Sequence, residues 1–271
     1  MANMNFIDKL SSASKRNDSL LCVGLDPDMG KIPLHAAKDP IFEFNKRIVD
    51  ATSDLVIAYK PNLAFYEALG LDGMRSLMKT VEYISDVPVI ADAKRGDVDH
   101  ATKAYAKAVF DVFRFDAVTV NPYMGIDSVK PFLDYVEKGV FILCRTSNPG
   151  AKNFQDLYCK KFLYEIVAER VVDWNVHKNC GVVAGATYPE ELKKIRAIVG
   201  EDVPILIPGI GAQSGDLEKA VKFGTNSSGN MAIISSSRSI IYAGKGKDFD
   251  KKARDVALSL RDKINQFRHE I

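Results

Sequence analysis

The stretch Val87-Pro88-Val89-Ile90-Ala91-Asp92-Ala93-Lys94 is apolar and β-branched until it meets Asp92. After the break Arg95-Gly96-Asp97, residues 100–113 carry Tyr105, Ala108, Val109 and Val112 at helical spacing. A buried strand thus feeds a helix that lays one apolar face back on it, the unit of a parallel α/β fold. Outward from this unit the same alternation recurs. Further strands are predicted at 19–26, 55–62, 117–123, 139–146, 180–187, 204–211 and 231–238. Helices are predicted at 40–52, 73–84, 154–174, 188–199, 215–223 and 248–267. Most strands are apolar throughout, as strands covered on both faces must be. Eight units in 271 residues match a single (β/α)8 TIM barrel of about 250 residues better than an open doubly wound sheet. The expected architecture is one domain over residues 1–271, with an N-terminal helical extension.

The composition, 46% hydrophobic and 27% charged, is that of an ordinary globular protein. A net charge of +2 with dispersed basic residues provides no stripe for nucleic acid, so none is expected as a partner. Residues 1–19 lack the apolar core of a signal peptide, and no apolar run reaches the roughly 18 residues of a membrane span. Cys22, Cys144, Cys159 and Cys180 have no CxxC spacing and read as free thiols, which points to a reducing cytoplasm. His35, His100, His177 and His269 have no ligand spacing, so no metal is expected.

Barrel enzymes work at the C-terminal ends of their strands. Here those ends carry Asp26, Lys60 with Asn62, Asp92 with Lys94, Asn121, Thr146 with Ser147, and Arg238. Any one of them reads most simply as a solvated strand end or helix cap. As a converging set they read as a site. Asp92 and Lys94, two apart on one strand, share a face. Asp97 follows before the next helix, where a capping role is compatible with a chemical one, and Lys60 ends the neighbouring strand. An alternating Lys60-Asp92-Lys94-Asp97 array follows. Flanking carboxylates keep a lysine charged, which suits proton donation and opposes Schiff-base chemistry. Two ammonium groups among the carboxylates also repel a dication.

The loops after strands seven and eight often bind phosphate. Pro208-Gly209-Ile210-Gly211-Ala212-Gln213 and Ser235-Ser236-Ser237-Arg238 stand there. Glycine lets amides approach an anion, and arginine supplies a bidentate partner. A phosphorylated substrate is expected.

Together these residues resemble the orotidine 5′-phosphate decarboxylase family over nearly the whole chain. The run Asp92-Ala93-Lys94-Arg95-Gly96-Asp97 carries the resemblance, with Lys60-Pro61-Asn62, Asn121-Pro122-Tyr123-Met124-Gly125 and Thr146-Ser147-Asn148-Pro149-Gly150 in support. The resemblance implies cofactor-free and metal-free decarboxylation of orotidine 5′-phosphate to uridine 5′-phosphate, the last step of de novo UMP synthesis. It implies that Lys94 stabilises and protonates the C6 carbanion. Asp92 would face the departing carboxylate, while Lys60 and Asp97 hold the array. Asp97 would reach the neighbouring site of a homodimer. Asp26 and Asn62 would bind near the ribose and Ser147 would read the pyrimidine. Gln213, Arg238 and the Ser237 amide would grip the phosphate, and Val98, Thr102, Thr146 and Pro208 complete the expected substrate-binding set. Two departures stand out. Thr102 is one place later than the family's usual threonine, and Ser237 precedes Arg238 where glycine is commoner.

Two other readings compete. A magnesium-dependent keto-sugar-phosphate enzyme of the same superfamily would favour a carboxylate where Lys60 stands. A non-catalytic nucleotide sensor would bind without turnover. No segment is expected to form a phosphoribosyltransferase domain.

Overall fold

A computed structural model describes residues 4–33, 37–211 and 216–270. Eight strands carry the architecture: β1 Leu21–Leu25, β2 Ala58–Pro61, β3 Ile90–Arg95, β4 Ala117–Val120, β5 Gly139–Arg145, β6 Cys180–Ala184, β7 Ile205–Pro208 and β8 Ala232–Ser236. They hydrogen-bond in the order β2-β1-β8-β7-β6-β5-β4-β3, every pair parallel. Two isolated parallel bridges, Tyr59 with Val89 and Asn62 with Asp92, join β2 to β3 and close the ring. The expected TIM barrel is what forms. Side chains of β1, β4, β6 and β8 are buried throughout, in keeping with their mostly apolar sequences, broken only by Thr119 in β4 and Ser235 and Ser236 in β8.

Helix α1, Phe6–Asn17, is the expected N-terminal extension, started by Asn5, whose side chain accepts the Asp8 amide. Its Phe6 packs edge-to-face on Phe141, with ring centroids 5.6 Å apart, and fills the space where a side chain at Gly139 would stand. The start of β5 is therefore covered by α1, and the opposite end of the barrel is left for chemistry. The outer layer comprises α2 Pro40–Thr52, α3 Leu63–Glu67, α4 Gly70–Tyr83, α5 Asp99–Lys107, α6 Lys130–Leu133, α7 Leu163–Trp174, α8 Pro189–Val199, α9 Leu217–Gly224, α10 Arg238–Ile241 and α11 Phe249–Arg268. Among the described residues no helix is long and apolar enough to cross a membrane.

Three sequence expectations need correction. The helix predicted over 154–174 begins only at Leu163. Residues 154–162 instead close a loop with a two-residue hairpin, Tyr158–Cys159 against Lys161–Phe162, turned at Lys160 with φ 63°. Next, α5 runs on into a π-helical turn, Ala108–Val112, and the helix buries a different face from the one predicted. Thr102, Ala106, Val109 and Phe110 face inward, while Tyr105 and Val112 are exposed. Finally, Arg238 opens α10 rather than ending β8. The short helices α3, α6 and α10 have too few turns to show periodicity in sequence.

Candidate active site

The open mouth of the barrel is a cavity of about 630 Å³. A larger cleft, about 950 Å³, lies between α2 and α4 and is lined by no strand residue. Only the mouth cavity gathers the polar strand ends. Asp26, Lys60, Asn62, Asp92, Lys94, Thr146, Ser147, Pro208, Ser237 and Arg238 all line it.

At its floor, Lys60 Nζ lies 2.8 Å from Asp92 Oδ2, and Lys94 Nζ pairs with Asp92 Oδ1. The Lys60 and Asp92 side chains are 7% and 12% exposed, whereas Lys94 is 49% exposed and reaches into the cavity. Burial pushes the Asp92 carboxyl up, but the two ammonium groups outweigh it and hold the acid well below the usual carboxylate range. Burial disfavours the Lys60 charge, yet Asp92 and Asp26 together keep it above the ordinary lysine value. The floor is thus a fixed carboxylate clasped by two cations.

Asp26 follows β1 and is steadied through its backbone, whose carbonyl accepts from the Tyr242 hydroxyl at 2.9 Å. Its Oδ1 is buried without a hydrogen-bond partner, an unmet acceptor. Asn62 caps α3 by accepting the Ala64 amide, and it bridges to Asp92 in the barrel wall. Opposite, Gly209 and Gly211 have φ of 104° and 94°, a backbone open chiefly to glycine. Gly24 has a packing reason: a Cβ there would fall 1.8 Å from Ser237 Oγ. Arg238 is exposed at the rim. Gln213 lies outside the described residues.

Not every expected residue enters this cavity. Asp97 and Val98 line a separate cleft of about 590 Å³ with Met124 and Asp127. Thr102 is wholly buried, its hydroxyl donating to the Asp97 carbonyl and accepting the Asp97 amide. One chain therefore assembles Lys60, Asp92 and Lys94 in the mouth and directs Asp97 elsewhere.

The structure also adds residues that sequence reasoning missed. Thr119, from β4, touches both Asp92 and the Lys94 backbone. Gln155 returns across the cavity to accept the Thr146 amide at 2.8 Å. Behind that loop Arg145 is buried, donating to Asp156 at 3.0 Å and stacking on Tyr188 at 3.7 Å. Gln155 and Asp156 lay in a predicted helix and Thr119 between two valines of a predicted strand, so none of the three offered a signal; Arg145, a charge within an apolar strand, did.

Residues 19–250 match the profile described as "Orotidine 5'-phosphate decarboxylase / HUMPS family". An orotidine 5′-phosphate decarboxylase of Dehalococcoides mccartyi is 50% identical over 271 residues, covering 98% of this chain and 99% of that one. A solved OMP decarboxylase of Leishmania donovani superposes with a TM-score of 0.86 at 38% identity, covering 98% of this chain and 99% of that one. The UMP synthase of the same organism superposes with a TM-score of 0.88 at 40% identity; 98% of this chain is covered but only 57% of that longer one. With the barrel, the charged floor and near full-length identity in agreement, the chain belongs to the orotidine 5′-phosphate decarboxylase family.

Proposed function

We infer that this protein decarboxylates orotidine 5′-phosphate to uridine 5′-phosphate, the last step of de novo UMP synthesis. The observation that carries the reading is the Lys60-Asp92-Lys94 clasp at the floor of a cavity whose volume suits a nucleotide.

In this reading the C6–carboxylate bond breaks, carbon dioxide leaves and the electron pair stays on C6. The Lys94 ammonium stabilises that pair and then gives C6 its proton, and the resulting amine is reprotonated from water. Fixed charge in a partly dry site does this without solvent reorganisation. Asp92 sits as a permanent anion near the substrate carboxylate, relieved when carbon dioxide departs. Lys60 holds Asp92 ionised and in place. Its ammonium also disfavours a dication at Asp92, which weighs against the magnesium-dependent alternative.

The rest of the mouth suits the rest of the nucleotide. Arg238, the Ser237 amide and Gln213 would hold the phosphate beside Pro208, with Asp26 and Asn62 at the ribose. The unmet Asp26 Oδ1 acceptor suits a sugar hydroxyl donor. Thr146 and Ser147 would meet the pyrimidine. Asp97 and Val98 would complete the site of a second copy in a homodimer, with Thr102 fixing their loop from beneath. Exposed Val98, Tyr123, Met124 and Phe154 support such an interface: Val98 shares the Asp97 cleft with Met124, and Tyr123 packs on Phe154. Free thiols at all four cysteines fit a cytoplasmic setting.

The test is incubation with orotidine 5′-phosphate and a chelator, following the substrate's ultraviolet absorbance and the UMP formed. Equal loss of substrate and gain of UMP is expected. No loss with folded protein overturns the reading, and turnover only on adding magnesium moves the enzyme to the metal-dependent branch.

A further inference from the structure

Strands β3 and β4 pair regularly at Ile90–Ala117 and Ala91–Val118, and pairing resumes only at Arg95–Val120. The register shift leaves Asp92, Ala93 and Lys94 facing a single residue, Thr119. Such a bulge strips amides of their ladder partners, and buried amides must find others. Thr119 Oγ1 accepts the Ala93 amide at 3.1 Å and the Lys94 amide at 2.9 Å. It donates in turn to Asp92 Oδ1 at a longer 3.2 Å. A hydroxyl has one proton and two acceptor sites, so all of its capacity is spent on this one segment. Thr119 is 1% exposed, which leaves little access for water to replace it.

The segment it holds is unusual. Lys94 has φ 47°, a left-handed backbone disfavoured for a residue with a side chain. That conformation persists only where the surroundings enforce it. It is also what lets Lys94 fold back on Asp92, two residues away, while remaining half exposed to the cavity.

We propose that Thr119 is a positioning residue for the decarboxylation: its hydroxyl locks the bulge at Asp92–Lys94 and so aims the Lys94 ammonium. This rests on the decarboxylase reading for the role of Lys94. The hold on the backbone stands independently of it.

The test compares Thr119→Val, which keeps the shape and removes the hydroxyl, with Thr119→Ser, which keeps the hydroxyl. For Thr119→Val, kcat should fall about 100-fold while KM changes little, as a misaimed group does. Amide hydrogen exchange at Ala93 and Lys94 should quicken about 10-fold, the scale of one lost hydrogen bond. Thr119→Ser should restore both. Wild-type kcat and exchange in Thr119→Val overturn the proposal. Equal damage in Thr119→Ser also overturns it, because the methyl and not the hydroxyl would then matter. If Thr119→Val does not fold, Thr119→Ala against Thr119→Ser makes the same comparison. A wild-type protein without turnover would sink the decarboxylase reading alone, since exchange still reports whether Thr119 holds the bulge.

Discussion

Replacing Lys60 with methionine keeps most of the apolar stem and removes the ammonium 2.8 Å from Asp92 Oδ2. At an effective dielectric near 20, unit charges at that distance attract by about 6 kcal/mol. Desolvation of Lys60, which is 7% exposed, offsets part of this. Removing one member of a buried pair usually costs about 3–5 kcal/mol, because the other is left uncompensated. Lys94 still pairs with Asp92 Oδ1, so the lower end applies, about 3 kcal/mol. At roughly 2–4 °C per kcal/mol the thermal midpoint should fall by about 6–12 °C.

The pH dependence follows from the same pair. The folded Asp92 carboxyl lies well below the usual range, because the two ammonium groups outweigh burial. A depressed acid contributes stability above its unfolded value, about 3.9, and loses it as pH falls through the folded value. Lys60→Met raises the folded Asp92 value, so the gap between wild type and variant should be full at neutral pH. It should narrow below about pH 4. Urea titrations across that range, with kcat measured alongside, check this. An unchanged midpoint, or a gap that widens on acidification, refutes the reasoning.

Three further outcomes are expected. Mixing Lys94→Ala with Asp97→Ala, each inactive alone, should recover about a quarter of wild-type activity, because half the random dimers hold one intact site of two; no recovery argues against a shared site. Gly24→Ala drives a Cβ into Ser237 and should raise KM through the phosphate end, at a stability cost of about 1–3 kcal/mol by urea titration. A thiol reagent should label Cys159 at once in the native protein and reach Cys22, Cys144 and Cys180 only on unfolding, since burial pushes those three thiols up, Cys22 and Cys180 to about 12.

The barrel was legible because each β-strand is a short, mostly apolar run, and burial on both faces demands that pattern. Lys60, Asp92 and Lys94 were legible for the same reason: charges at the ends of adjacent apolar strands have one common destination. The orientation of α5 was not, since Thr102, Ala106, Val109 and Phe110 also stand at helical spacing, and spacing alone does not choose between that face and the one through Tyr105 and Val112. The loop through Gln155 and Asp156 was hidden because Phe154, Leu157 and Tyr158 continue an apolar pattern that reads as helix, yet all three are exposed. Thr119 looked like filler in an apolar strand. Its importance comes from a register shift in a neighbouring strand, which no local pattern records. Thr102 was expected at the ligand, but its hydroxyl is committed to the Asp97 backbone.

The central claim is that the Lys94 ammonium supplies the charge and the proton at C6. Single-turnover decarboxylation by Lys94→Ala, with UMP binding measured on the same sample, tests it most directly. Turnover should fall by about 1,000-fold or more while UMP still binds. A Lys94→Ala protein that binds UMP and decarboxylates orotidine 5′-phosphate at the wild-type rate would contradict the account.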